Sequence, residues 1–209
     1  MPLPLLATVD ELKDYLQQTL PLAPGPAQLA LRLASAAIRR HTKQTISFVA
    51  ADEFMIMGGE QVLKLPQRPV VVDGDNPLTV VEIVDGTGLE IPALEGRDFL
   101  RYGAELHRGE ALPTSRLMGW PRRRPTGIWA DRVRGTYSHG YQEIPDEIVG
   151  IALDLAAASM SNPRRIRSES SGAVSVTYTV ETFGTGSLTS DHRDMLRDFK
   201  RTAFSVRQT

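Results

Sequence analysis

Apolar positions in the first forty residues recur with the period of a helix. Thr8 and Glu11 form a Thr-x-x-Glu capping box, the pattern that satisfies free N–H groups at a helix start. Leu12, Tyr15, Leu16 and Leu20 supply the stripe of the helix that follows, which ends before Pro21. The prolines and glycine between Pro21 and Pro26 make a linker or tight turn. Pro26 suits the first turn of a second helix. Ala30, Leu33, Ala34, Ala37, Ile38 and His41 then share one face. Arg32, Arg39 and Lys43 gather opposite, where a solvated face is the plain reading.

From Ile46 to about Tyr141 the period shortens to that of strands. Glu53–Met57, Gly58-Gly59 and Gln61–Leu65 read as a hairpin about a glycine turn. Val70–Val72 and Leu78–Val84 are further strands, and Asp85-Gly86-Thr87-Gly88 turns the chain back through Leu89–Ile91. Phe99–Leu106 reads as one strand and Arg132–Tyr137 as the last. Short strands at this spacing predict a small sandwich or barrel. Pro113 to Pro125 is too rich in proline for regular structure and is expected to be an exposed loop.

Helix returns at Pro145, with Asp146 and Glu147 in its first turn at the positive end of the dipole. From Ile148 to Met160 only Asp154 is charged, so this helix is expected to be buried on most sides. Arg164 to Gly172 reads as a polar loop. Val174, Val176, Tyr178 and Val180 then alternate with Ser175, Thr177 and Thr179, a strand with no evident neighbour in sequence. It is expected to pair with something distant, or with another molecule by strand addition. Thr189 or Ser190 caps a last helix with Met195, Leu196, Phe199 and Ala203 on one side, too short to stand undocked. The class is therefore α+β: a core of about four helices with an inserted antiparallel β domain. The division is 1–47 and 140–209 for the helical core, which includes strand 173–180 and the terminal helix, and 48–139 for the insert.

Composition narrows the function. The 209 residues contain no cysteine, which excludes disulfides, thiol nucleophiles and cysteine-ligated zinc. No apolar run is long enough to span a bilayer, and the start lacks the basic region of a signal peptide. A net charge of −1 conceals an uneven distribution. Residues 61–100 carry seven acids against three bases, whereas residues 101–134 carry eight arginines against three acids. The plain reading is a solvated surface with ion pairs; the sharper one is complementary faces that meet between copies.

Reactive constellations are absent. His41, His107, His139 and His192 are scattered, and no zinc-protease, nucleophile-elbow or phosphate-loop motif is present. Asp73-Gly74-Asp75-Asn76 resembles part of a calcium loop, but Val84 stands where the bidentate glutamate belongs. The chain is accordingly expected to be no enzyme and to need no cofactor or metal. A hydrolase built on His139 and Glu143 has no motif behind it. An alternative with more substance is a DNA-binding protein, in which Arg122, Arg123, Arg124, Arg164 and Arg165 neutralise phosphates while Trp120 and Trp129 stack.

The order of motifs over residues 133–180 is more specific than any single one. Val133–Tyr141 ends in Tyr137-Ser138-His139-Gly140-Tyr141, Ile144-Pro145 opens an alanine-rich helix, and Ser168-Glu169-Ser170-Ser171-Gly172 precedes the valine strand. This order resembles the head-to-tail connector (adaptor) proteins of long-tailed bacteriophages. The helix pair ending in Ile38-Arg39-Arg40-His41 and Ile46 fits as well, so the likeness covers residues 8–47 and 133–209. It implies a structural virion protein of the neck, assembled in the host cytoplasm as a ring, commonly a dodecamer. The ring would join the portal protein to a stopper or tail-side protein and extend the channel that dsDNA passes during genome ejection, away from any membrane. On this reading Met195, Leu196, Arg197, Phe199, Lys200 and Arg201 dock on the portal. Val174, Val176, Tyr178 and Val180 form a strand between subunits.

Overall fold

The computed structural model describes residues 3–17, 23–109, 127–161, 168–171, 174–177 and 188–201. They are mixed α and β, in two compact units: residues 48–141 form one, and the segments on either side of them form the other.

The helical unit opens with α1, Val9–Tyr15. Its capping box is complete: Glu11 N–H donates to Thr8 Oγ1 at 3.2 Å, and Thr8 N–H donates to Glu11 Oε2 at 2.6 Å. α1 is shorter than its stripe suggests. Only Leu12 of the helix is buried, and the chain leaves helical geometry at Gln17 (φ 53°). Leu20 lies outside the described residues. α2 spans Pro24–Thr42 and buries Ala27, Ala30, Leu31, Ala34, Ser35, Ile38 and Thr42. That face is rotated from the expected one, because Leu31 takes the core position and leaves Leu33 51% exposed. Small residues on this face let α2 lie close against α3, Asp146–Ser161, whose Ile148, Ile151, Ala152, Leu155 and Ala156 are buried. Arg39 is not solvated as expected. Its guanidinium donates to the carbonyls of Pro4 and Thr45 and to Ser47 Oγ, fastening both ends of the segment around α2.

Among the described residues the β unit contains eight strands: β1 Val49–Met57, β2 Val62–Lys64, β3 Val70–Val71, β4 Thr79–Val84, β5 Leu89–Ala93, β6 Phe99–Tyr102, β7 Glu105–Arg108 and β8 Arg132–His139. One antiparallel sheet runs β1-β8-β4-β5, with β3 also on β8, and a second runs β2-β7-β6. Both sheets are open. One core is shared between them, made by Phe54, Leu63, Leu65, Val80, Ala93, Phe99, Leu106, Trp129, Val133 and Tyr137.

Two strand expectations are corrected. β1 and β2 do not form a hairpin: they lie in different sheets. The glycines between them serve close approach instead. Gly58 N–H donates to the Asp131 carbonyl at 2.8 Å and Gly59 N–H to the Trp129 carbonyl at 3.0 Å. A Cβ on Gly58 would fall 1.7 Å from the Ala130 oxygen, so only glycine lets the chain cross here from one sheet to the other. Phe99–Leu106, conversely, is two strands. Tyr102 pairs with Glu105 across Gly103-Ala104, and Gly103 takes the φ of 60° that a two-residue hairpin loop demands. The expected hairpin of β4 and β5 is present, with Val84 opposite Leu89.

Gly109 and Gly127, which flank residues outside the described set, lie side by side. A Cβ on Gly109 would lie 3.4 Å from Gly127 Cα.

A short hairpin and a helix complete the description. β9, Ser168–Ser171, pairs antiparallel with β10, Val174–Thr177, in the register Ser171↔Val174. The valine strand therefore has an adjacent partner, against expectation. Ser168–Ser171 lacks the apolar alternation that marks a strand in sequence, although pairing needs only its backbone groups. α4, Ser190–Met195, is capped by Thr189, whose Oγ1 accepts from His192 N–H at 3.2 Å.

Candidate functional site

The carboxy-terminal segment is the docking element that the sequence marks out, and its residues divide into two groups. Leu196 is fully buried. It seals the turn after α4, and further on Arg201 N–H donates to the Thr42 carbonyl at 2.8 Å. Leu196 is thus covered by its own chain and presents no surface for docking in this structure. Met195, Arg197, Lys200 and Arg201 are exposed, and Phe199 is half-buried. Ala203 lies outside the described residues.

Asp154 of α3 ties this segment down. His192 Nε2 lies 3.2 Å from Asp154 Oδ2, while the Tyr15 hydroxyl donates to Oδ1 at 3.4 Å. One carboxylate therefore links α1, α3 and α4. Burial, reinforced by the Asp154 charge, pushes the Tyr15 phenol above its usual value.

His41, near the end of α2, is held below the usual histidine value of 6.5, first by burial and then by the charges of Lys200 and Arg193. The sign of the pH effect follows. The unfolded chain accepts a proton on this imidazole more readily than the folded one. The stability that neutral His41 lends is complete above 6.5 and is withdrawn as pH falls below it. We expect His41→Gln to flatten the loss of thermal stability between about pH 7 and about pH 5 relative to the unsubstituted chain, read by calorimetry.

The other candidate residues are scattered. Arg122, Arg123, Arg124, Arg164, Arg165, Tyr178, Val180 and Trp120 lie outside the described residues, and Val174 and Val176 stand on β10 of the hairpin. Trp129 offers no stacking surface. It is buried, its indole N–H donates to the Leu106 carbonyl at 3.2 Å, and its ring packs against Phe99. The Asp73 carboxylate is spent on its own loop, accepting from Asp75 N–H, Asn76 N–H and the Asn76 amide at 2.8–3.0 Å. His139 has no exposed surface. It pairs with Asp52 at 3.0 Å, beside the β1 irregularity between Val49 and Asp52, and so serves the strand rather than a substrate.

Opposite charges of 61–100 and 101–134 meet inside the chain. Arg101 pairs with Glu95, Arg108 with Glu82, Arg132 with Asp85 and Arg134 with Glu90. Among the described residues, four arginines of the basic stretch are thus matched by acids of the preceding stretch within the β unit. Of the four, the Glu82–Arg108 pair is buried, at 6% and 4% exposure and 2.7 Å. Glu82 Oε2 also accepts from Ala130 N–H at 3.1 Å, while Arg108 donates to the Asp98 carbonyl and lies 5.3 Å over the Trp129 ring. Sequence reasoning missed this knot. The signal was there, since Glu82 shares with Val80 the inward phase of β4.

No family model matches the chain, and none of the curated proteins does. Among solved structures, a chain from the neck of an empty GTA (gene transfer agent) particle computed with C6 symmetry aligns with it at a TM-score of 0.50 and 19% identity. The alignment covers 98% of this chain and 95% of that one, so what the two share is the fold of the whole polypeptide, helical parts and β insert together.

Proposed function

We propose that this chain is a structural neck protein of a phage-like particle, a connector that assembles as a ring between the portal and the tail-side proteins. The observation that carries the reading is end-to-end similarity of fold to a chain of the GTA neck. A second line supports it independently: the motif order of residues 133–180 resembles the connector family, and that resemblance owes nothing to the structural alignment. Such a protein acts by geometry rather than chemistry. It requires a rigid body, surfaces for its own copies, and a segment that engages the portal while the ring lets DNA pass.

The exposed residues after α4 suit that last task. Met195 at the end of α4 and Arg197, Lys200 and Arg201 after it are exposed, interspersed with Asp194 and Asp198, on a segment held by Leu196 and by the His192–Asp154 pair. Met195→Asp is expected to leave the fold intact, because Met195 is 51% exposed, and to prevent attachment to DNA-filled heads. Particles lacking the chain altogether should accumulate as filled heads without tails, visible by negative-stain microscopy. Normal tailed particles in its absence would defeat the neck assignment. Normal attachment of the Met195 variant would defeat only the portal patch.

A further inference from the structure

α2 turns one stripe to solvent that its own unit leaves uncovered. Leu29 and Leu33, one helical turn apart, are 55% and 51% exposed. Arg32, Arg40 and Lys43 are exposed beside and beyond them, and α2 contains no acidic residue to balance the charge. None of these cations has an ion-pair partner among the described residues. This differs from the β unit, where Arg101, Arg108, Arg132 and Arg134 are each matched by a carboxylate. An apolar centre with a charged rim is the anatomy of an interface between proteins.

A matching surface exists on the same unit. α1 presents Asp10, Glu11 and Asp14 to solvent, and Tyr15 is 49% exposed beside them. Glu11 is spent on the capping box, whereas Asp10 and Asp14, one turn apart, have no cation on them among the described residues. Tyr15 is held in place by its hydroxyl bond to Asp154, so its ring is a preset apolar contact. The two surfaces are opposite in charge, and each carries an apolar element.

We propose that the outward stripe of α2, built on Leu29, Arg32, Leu33 and Arg40, receives the α1 face of a second copy of this chain, with Asp10, Asp14 and Tyr15 as the complementary contacts. This rests on the ring reading above and names its interface. Because the two patches differ, the contact is head-to-tail, and such contacts close a ring where their rotation allows it. The leucines at the centre decide against nucleic acid as the occupant, since phosphate contacts are made by cations and polar groups and gain nothing from exposed leucine.

The test uses the full chain, which has no cysteine of its own. Leu33→Cys and Asp14→Cys are introduced singly and together, and a short bis-maleimide is added to assembled protein. The double variant is expected to give a ladder of linked multimers ending at the closed ring, and each single variant is not. In parallel, Leu33→Asp is expected to abolish rings seen by sedimentation velocity, with an unchanged circular dichroism spectrum. Arg32→Glu should weaken assembly about tenfold, and Asp14→Arg in the same chain should restore most of it. Rings that persist in Leu33→Asp and Arg32→Glu, with no ladder from the double variant, would overturn this interface and leave the ring reading standing. Failure of the unsubstituted chain to self-associate at any concentration, or on filled heads, would overturn the ring reading itself. Loss of duplex DNA binding in Arg32→Glu with rings intact would assign the stripe to nucleic acid and overturn the proposal.

Discussion

Arg108→Ala is expected to remove a large share of the stability of the β unit, about 3–5 kcal/mol. Glu82, 6% exposed in the intact pair, would lose its cation, and a buried carboxylate whose charge is left uncompensated costs far more than the ion pair contributes. The loss has two further parts. The Asp98 carbonyl loses a donor, and the Trp129 face loses the guanidinium stacked over it. Domains are stable by about 5–15 kcal/mol, so this single truncation brings the unit close to its unfolding threshold. The paired substitution Glu82→Gln with Arg108→Met separates charge from shape. The glutamine amide oxygen still accepts from Ala130 N–H, and a methionine fills the space beside Trp129 without charge. We expect the double variant to recover more than half of the loss in urea unfolding followed by intrinsic fluorescence. If Arg108→Ala unfolds with the midpoint of the unsubstituted chain, the knot is not what holds the strands around Trp129.

Gly135→Ala is the second large effect, and its cause is space. Gly135 lies on β8 opposite Phe54 of β1 and Val80 of β4. An added Cβ would fall 2.0 Å from the Thr79 carbonyl oxygen and 2.8 Å from two carbons of the Phe54 ring. The ring cannot simply swing aside, because it packs edge-on against Tyr137 with centroids 5.4 Å apart. Tyr137 in turn accepts from Gln67 N–H through its hydroxyl at 2.8 Å. Overpacking usually costs about 1–3 kcal/mol, and with backbone as one of the obstacles we expect about 3 kcal/mol or more. Gly150→Ala is the matched control. Nothing lies within 4 Å of a Cβ there, and alanine is the better helix former, so a gain of about 0.5–1 kcal/mol is expected. Equal thermal shifts in the two variants would show that the space around Gly135 is not closed.

Elements that declare themselves through local chemistry were legible in the sequence. The Thr8–Glu11 box, the Thr189 cap, the start of α3 after Pro145 and the β4–β5 hairpin depend on residues a few positions apart. What escaped depends on distant partners. Gly58-Gly59 looks like a hairpin turn until the carbonyls of Trp129 and Asp131 are known to lie against it. Ser168–Ser171 has no pattern of its own and becomes a strand because Val174–Thr177 lies beside it. On α2 the choice between Leu31 and Leu33 for the core is decided by the neighbouring helices, since both lie within the apolar stretch. The candidate site shows the same division. Leu196 is recognisable as a residue that needs burial, but its burial within its own chain cannot be read from the tail alone. The charge asymmetry is visible at once, and only the fold shows that Arg101, Arg108, Arg132 and Arg134 find acids of the other half beside them.

The meeting of Gly109 and Gly127 separates what the β unit is from what it carries. Because Gly109 and Gly127 are held at one spot, the entropy of closing a chain between them grows slowly, by about 0.6 kcal/mol for each doubling of its length, so a change in the number of residues between these two glycines is expected to leave the strand register unaltered.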